Sequence, residues 1–208
     1  IPGVLGLQGL QGFFVFCILC YTFLCIIFLT GCDLALNRKK IFDSLKFQNI
    51  RLITAADDSI IAEIIRMNLK KFHLDIPGTA YFDPELDHLS EYYNCFPEKR
   101  AYFIATDKAG AVIGGVGIAE FDGLPNCAEV QKLYLTDKAK GKGFGKALMQ
   151  AVETYAKEIG YRRLYLETHT NLESAIILYK KRGYHQVDKP KETPHSTMNR
   201  FFLKELSF

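Results

Sequence analysis

The run Lys140-Gly141-Lys142-Gly143-Phe144-Gly145-Lys146 carries the most explicit chemistry in the chain. It follows an apolar stretch that reads as a strand (Val130, Leu133, Leu135) and a short polar turn, Thr136 to Ala139. It then enters a segment of helical periodicity. A glycine loop in that place leaves backbone N–H groups unpaired at the positive end of a helix dipole, which suits phosphate oxygens. Lys140, Lys142 and Lys146 add positive charge at the same spot. Two familiar phosphate patterns do not fit. A Walker A loop requires Gly, four residues, then Gly-Lys-Ser/Thr, and here position 140 is Lys and position 147 is Ala. A dinucleotide fingerprint requires a glycine three residues after Gly143, where Lys146 stands.

The loop needs flanks that hold it. Glu129 to Leu135 is the strand that leads into it, and Leu148, Val152, Tyr155 and Ile159 recur at helical spacing after it, with Gly160 closing the helix. Arg163 to Thr168 reads as the next strand, parallel to the first because a helix crosses between them. Glu173 to Arg182 reads as a helix closed by Gly183, Pro190 to His195 as a loop, and Asn199 to Leu206 as the last strand. Upstream, a strand at Ile50 to Ile53 opens the domain. Thr54 to Ser59 offers capping residues for a helix whose buried face is expected to carry Ile60, Ile61, Ile64 and Ile65. Lys70 and Lys71 fall in its last turn, where the dipole favours cations. The segment Leu74 to Tyr93 combines Phe82 and Asp83 with a helical stretch bearing His88, Tyr92 and Tyr93. Such a mixture suits a pocket for a cationic substrate or the packing of a second helix. Ala101 to Thr106 and Ala111 to Phe121 are strands joined by a hairpin turn at Asp107 to Gly110. Gly114, Gly115 and Gly117 in the second of them point to a bulge or a close backbone approach.

Composition narrows the classes. Hydrophobic residues make up 49% and charged residues 24%, as in an ordinary globular chain. A net charge of +3, without a basic and aromatic cluster, argues against a nucleic-acid partner. Beyond residue 32 only Cys95 and Cys127 remain, which suits a reduced cytoplasmic domain rather than a disulfide scaffold. No zinc-type Cys or His spacing appears in the polar part, so no metal is expected.

Three segments are expected: a hydrophobic segment 1–40, a linker 41–49 and a folded domain 50–208. Residues 1–32 hold no charge, and about eighteen apolar residues from Phe13 to Thr30 would span roughly 27 Å as a helix, close to a bilayer's hydrocarbon thickness. Arg38, Lys39 and Lys40 follow, which by the positive-inside rule would leave the domain in the cytoplasm. Leu29-Thr30-Gly31-Cys32 also has the look of a lipoprotein cleavage box, although no basic segment precedes the apolar run. The first Met is Met67, which admits a third expectation, a fragment or upstream sequence translated in error. All three stand, and a membrane enters only if the N-terminal segment is genuine.

Lys140 to Gly145 resembles the pyrophosphate loop R/Q-x-x-G-x-G/A of the GNAT acetyltransferases, with Lys at the first position. The run Asn171 to Tyr184 (NLESAIILYKKRGY) resembles the second motif of that family, with Tyr in place of the terminal Phe. The order of elements from Ile50 to Phe208 is similar too. The resemblance implies an α/β fold with a mixed, mostly antiparallel central sheet, flanking helices and one splayed parallel strand pair. It implies acetyl-CoA as cosubstrate, with its pantetheine arm between Glu129–Leu135 and Arg163–Thr168. Leu133, Tyr134 and Leu135 would line that arm, and Lys140, Gly141, Lys142, Gly143, Phe144, Gly145 and Lys146 would hold the pyrophosphate. A Cβ at 143 or 145 would block that approach. Asn171 would contact the pantetheine or cap the following helix. Tyr179 would protonate the departing thiolate, and Glu129 would take the proton of an amine. Glu129 lies six residues before Leu135, so the two side chains share a direction unless a bulge intervenes. The acceptor would be a primary amine of a small molecule or protein, chosen by the loops Leu74–Tyr93 and Pro190–His195, and homodimers are common in the family. A non-catalytic acyl-CoA-binding module is the alternative.

Overall fold

In the computed structural model, which describes residues 49–190, 193 and 195–207, seven strands form one sheet. They are β1 (Ile50–Leu52), β2 (Ala101–Thr106), β3 (Val112–Glu120), β4 (Cys127–Leu135), β5 (Arg163–Thr168), β6 (His185–Val187) and β7 (Arg200–Glu205), in the spatial order β1-β2-β3-β4-β5-β7-β6. Only β4 and β5 run parallel; every other neighbouring pair is antiparallel. This is the mixed, mostly antiparallel sheet expected. The hydrophobic segment 1–40 and nearly all of the linker lie outside the described residues. Among the described residues no helix is long and apolar enough to cross a membrane.

Helices cover both faces. Helix α3 (Phe144–Glu158) connects β4 to β5, and α4 (Glu173–Lys181) follows β5. Leu148, Met149, Val152 and Tyr155 of α3 are sealed from solvent against Phe103, Val116, Leu164, Leu166 and Phe202 of the sheet. Burying a side chain of this size contributes on the order of 1.5–3 kcal/mol each. The opposite face is covered by α1 (Asp58–Lys71) and α2 (Leu89–Asn94). There Ile61, Ile64, Ile65 and Leu69 pack with Leu74, Leu86, Tyr93, Tyr102 and Ile104. The Asp58 carboxylate accepts hydrogen bonds from the Ser90 N–H (2.8 Å) and Oγ (2.6 Å), which joins the starts of α1 and α2.

Two points differ from the sequence reading, the exposure of Ile60 and a short added strand. Ile60 is 43% exposed, because the buried arc of α1 runs through 61, 64, 65, 68 and 69 and position 60 falls about 40° outside it. The segment 74–93 holds the helical stretch expected around His88, Tyr92 and Tyr93. It makes two short 3-10 turns, Ala80–Phe82 and Leu86–His88, before the brief α2. Finally, β6 was not anticipated: it is a three-residue edge strand without buried alternation, held only by β7.

The glycines of β3 do what their spacing suggested. A Cβ on Gly115 would meet the ring of Tyr102, and one on Gly117 would meet Tyr93, so the aromatic side chains of the α1 face lie directly on the strand. Opposite them, the ladder slips: Gly115 faces Tyr134 and Gly117 faces Gln131, so Lys132 and Leu133 together oppose Val116. Lys132 holds φ 51° at this bulge.

Candidate active site

The bulge decides how β4 presents its side chains. Before it, Val130 points to the α3 face while Glu129 and Gln131 point to the other; after it, Leu133 and Leu135 return to the α3 face. Glu129 and Leu135 therefore lie on opposite faces, against the simple count of six residues. The extra residue has reversed the alternation.

The same strand leaves its neighbour. β4 and β5 pair only at Cys127–Arg163, Ala128–Leu164 and Glu129–Tyr165. Beyond that point β4 stays with β3 as far as Leu135, opposite Gly114, and β5 stays with β7 as far as Thr168, opposite Arg200. A gap opens between them. The Thr136 N–H donates to the Ile113 carbonyl at 2.9 Å, which places Thr136 and Tyr134 in the set that bonds β3. By alternation Leu133 and Leu135 turn their peptide groups toward the gap. There the Leu135 carbonyl accepts Asn68 Nδ2 at 3.0 Å.

At the end of β4 the glycine loop meets α3. Gly141 (φ 75°) and Gly143 (φ 88°) lie in the left-handed region, and Gly143 is the N-cap of α3, with no side chain capping the helix. The Ala147 N–H is the first to find its helical partner, the Gly143 carbonyl at 3.0 Å. The N–H groups of Phe144, Gly145 and Lys146 thus have no partner within the helix. A Cβ on Gly141 or Gly143 would meet nothing within 4 Å, so backbone conformation is what calls for glycine at these two positions. Gly145 serves differently: a Cβ there would lie 3.3 Å from Leu178 and 3.6 Å from Leu135, so its absence lets α3 start close against α4 and β4. Lys140 turns away from the loop. Its ammonium bonds Asn68 Oδ1 (2.7 Å) and Asp137 Oδ1 (2.8 Å), over the Phe72 ring. Lys140 and then Lys71 hold the Asp137 carboxyl down at about 2. Lys142 and Lys146 are exposed and take part in no ion pair among the described residues.

Tyr179 of α4 is buried against Tyr184 and Phe202, with ring centroids 6.1 and 6.2 Å away. Its hydroxyl makes no hydrogen bond to any described residue, and burial pushes its pKa well above the usual tyrosine range. Burial, and then Tyr179, also push up Tyr134, although the two rings pack on opposite faces of the sheet. They sense one another where β4 and β5 have parted. Asn171 does not cap α4, whose N-cap is Leu172; its Nδ2 instead donates to the Phe72 carbonyl at the end of α1, 3.0 Å away.

Glu129 is 3% exposed and sits where the strand pairing ends. Its Oε2 accepts from Gln131 Nε2 at 2.6 Å, and Gln131 Oε1 accepts in turn from the Tyr93 hydroxyl at 2.9 Å. Burial, and next the charge of Glu167, raise its pKa to about 7, against the pull of Gln131, His195 and Lys132.

Around it lies a charged network that the sequence reading did not assemble. Glu167 Oε1 contacts His195 Nδ1 (2.7 Å), and His195 Nε2 contacts Asp83 Oδ1 (3.1 Å). Asp83 also pairs with Lys132 (2.6 Å), which reaches Glu85 (3.0 Å). Burial disfavours the His195 charge, but hydrogen bonds to Asp83 and Glu167 outweigh it and raise the pKa to about 9. The His195–Asp83 contact joins the two loops that the sequence had marked for acceptor choice, and just beyond the second of them Thr197 Oγ1 donates to the Pro77 carbonyl at 2.8 Å. The acidic and aromatic composition of 74–93 was the available signal; nothing marked Lys132 or Glu167.

Comparison with known proteins agrees with this architecture. Residues 69–184 match the sequence model of the acetyltransferase (GNAT) family. The uncharacterized N-acetyltransferase YjgM of Escherichia coli (strain K12) is 35% identical over 141 residues, which cover 67% of this chain and 83% of that protein. A GNAT-family acetyltransferase from Staphylococcus aureus Mu50 shares the fold with a TM-score of 0.68 at 20% identity, over 76% of this chain and 99% of its own. A GNAT superfamily phosphinothricin acetyltransferase from Sinorhizobium meliloti, solved in complex with AcCoA, has a TM-score of 0.61 at 23% identity, over 76% of this chain and 87% of its own. The family match begins at the end of α1 and closes on Tyr184, so it spans the parted strands and both glycine-terminated helices beside them; the chain belongs to the GNAT acetyltransferase family.

Proposed function

We propose that the chain is an acetyl-CoA-dependent N-acetyltransferase that acts on a primary amine by direct transfer. The observation that carries this reading is the gap between β4 and β5 running to an uncapped α3 N-terminus. The residues present suit the coenzyme. Two left-handed glycines and the partnerless N–H groups of Phe144, Gly145 and Lys146 form a cradle for a pyrophosphate. Lys142 and Lys146 stand beside it with free ammonium groups, whereas Lys140 braces the turn through Asp137 and contributes its backbone alone. Leu133 and Leu135 offer peptide groups along the gap, as an extended amide-bearing arm requires. Tyr134 borders the gap from the α1 face, and Asn171 closes its far end by tying the segment after β5 to α1.

When bound, acetyl-CoA supplies a thioester-activated acetyl group. The remaining chemistry falls to the chain's own residues. An alkyl ammonium with a lysine-like pKa of about 10.4 is almost wholly protonated at pH 7. Glu129, with its pKa near 7 and its place at the mouth of the gap, takes that proton. Tyr179 keeps its own proton well beyond neutral pH and directs a hydroxyl free of other hydrogen bonds, so it is the donor to the departing sulfur. Asp83, Glu85 and Glu167 give the α1 side of the site an excess of carboxylates over the cations Lys132 and His195, which favours a cationic acceptor.

The test is a thiol-release assay with acetyl-CoA and a panel of amino acids, polyamines, aminoglycosides and peptide amines. Amine-dependent release of CoA is expected. Tight CoA binding with no release on any amine would favour the non-catalytic acyl-CoA-binding module.

A further inference from the structure

Resting on the reading of Glu129 as the proton acceptor, we propose that Glu167 is its positioning residue: a carboxylate clamped on one oxygen only, which sets how readily Glu129 takes a proton from the amine. Glu129 is the last residue that β4 shares with β5, opposite Tyr165. Glu167 lies two residues further along β5, so it shares the face of Tyr165 and is the diagonal neighbour of Glu129. Both are sealed from water: Glu129 is 3% exposed, and so is the Glu167 side chain.

The manner of clamping matters. Glu167 Oε1 receives both the His195 backbone N–H (3.1 Å) and Nδ1 (2.7 Å). Oε2 is buried and has no hydrogen-bond donor among the described residues. An anion held this way is fixed in place, and on its other side it faces the neutral Tyr165 phenol rather than a cation. In a site of low dielectric its field reaches the neighbouring carboxylate with little screening.

The surroundings of Glu129 leave Glu167 as the opposing charge. From β4 come Gln131, the Lys132 ammonium and the Cys127 thiol; from β5, Glu167 and the Tyr165 phenol; from α2, the Tyr93 phenol; and from the loop before β7, His195. Asp83 and Glu85 stand behind Lys132 and are paired to it. Among the charged groups that act most strongly on Glu129, His195 and Lys132 favour its ionised form and Glu167 disfavours it. Two carboxylates in contrasting environments separate into an anchor and a base. The proton step then balances. R–NH3+ gives one proton to the Glu129 carboxylate, leaving R–NH2 and a neutral carboxylic acid, and the carboxylate pair goes from two negative charges to one. That step relieves repulsion between the pair, and the Glu129 proton afterwards returns to water.

The experiment is a 13C-carboxyl NMR titration of the full chain with CoA present, the Glu129 signal being assigned by its loss in Glu129→Gln. The native midpoint is expected near 7. Glu167→Gln keeps an acceptor for His195 but removes the charge, and it should lower the Glu129 midpoint by about one unit. His195→Gln removes a cation and should raise it. The acid limb of kcat/KM, measured with the best amine of the panel, should move in the same two directions. Opposite displacements are not what general loosening of the fold produces. An unmoved Glu129 midpoint in Glu167→Gln, or displacement of both variants in one direction, overturns the proposal. Should His195→Gln fail to fold, the Glu167→Gln midpoint decides alone. Failure of the underlying reading looks different: Glu129→Gln would then keep full amine turnover and an unchanged pH profile.

Discussion

Tyr179→Phe separates chemistry from packing. The Tyr179 hydroxyl makes no hydrogen bond to a described residue, so its removal strands no partner. The ring contacts with Tyr184 and Phe202 survive in phenylalanine. With no hydrogen bond to lose and the ring packing kept, the substitution should leave stability within about 1 kcal/mol of the native value. For a domain of this size that corresponds to a Tm change of about 2–4 °C at most. Loss of a positioned proton donor lowers a rate by about 10²–10⁴. A thiolate, with a parent thiol pKa near about 8.5, is a stable enough leaving group to place the effect at the lower end, about 10² or 2.7 kcal/mol. The assay pairs steady-state thiol release, giving kcat and the KM for acetyl-CoA, with a thermal melt. A hundredfold fall in kcat with both KM and Tm nearly unchanged is expected. A kcat within threefold of native would refute the assignment, and a Tm lowered by more than about 5 °C would show that the hydroxyl is structural.

Other outcomes follow from the geometry. Gly143→Ala places a Cβ at φ 88°, a strain of roughly 1–2 kcal/mol, and should weaken CoA binding about tenfold by calorimetry while the domain stays folded. An unchanged Kd would remove the loop from the coenzyme site. Lys132→Met removes the buried ammonium that Asp83 and Glu85 share, leaving Asp83 with His195 alone, and should destabilise the chain by about 3 kcal/mol in urea, and a loss under 1 kcal/mol would count against the network. His195 has a folded pKa of about 9, above the ordinary 6.5, so its stabilisation is complete below about 6.5 and is lost as pH rises through 9. The difference in urea midpoint between the native chain and His195→Gln should therefore shrink from pH 6 to pH 10, and a widening gap would contradict the sign.

The elements legible in the chain were those written in consecutive residues. The glycine loop, the run from Asn171 to Tyr184 and the apolar spacing of α3 are local patterns, because left-handed glycines, helix starts and one buried helical face each arise within a few turns of backbone. Those patterns were enough for the sheet class and the parallel pair. The relations between distant segments were not legible. One added residue at Lys132 reversed which face Glu129 occupies, and a lysine at positive φ has no sequence signature. Lys140 and Asn171 were read beside the coenzyme, yet their side chains are held by Asn68 and by the Phe72 carbonyl, groups on α1 that only folding brings near. The pair of Glu129 and Glu167, with His195 and Asp83 behind it, joins positions up to 112 residues apart. Burial and like charge set the proton affinity of Glu129, and both exist only once the strands and loops have closed around it.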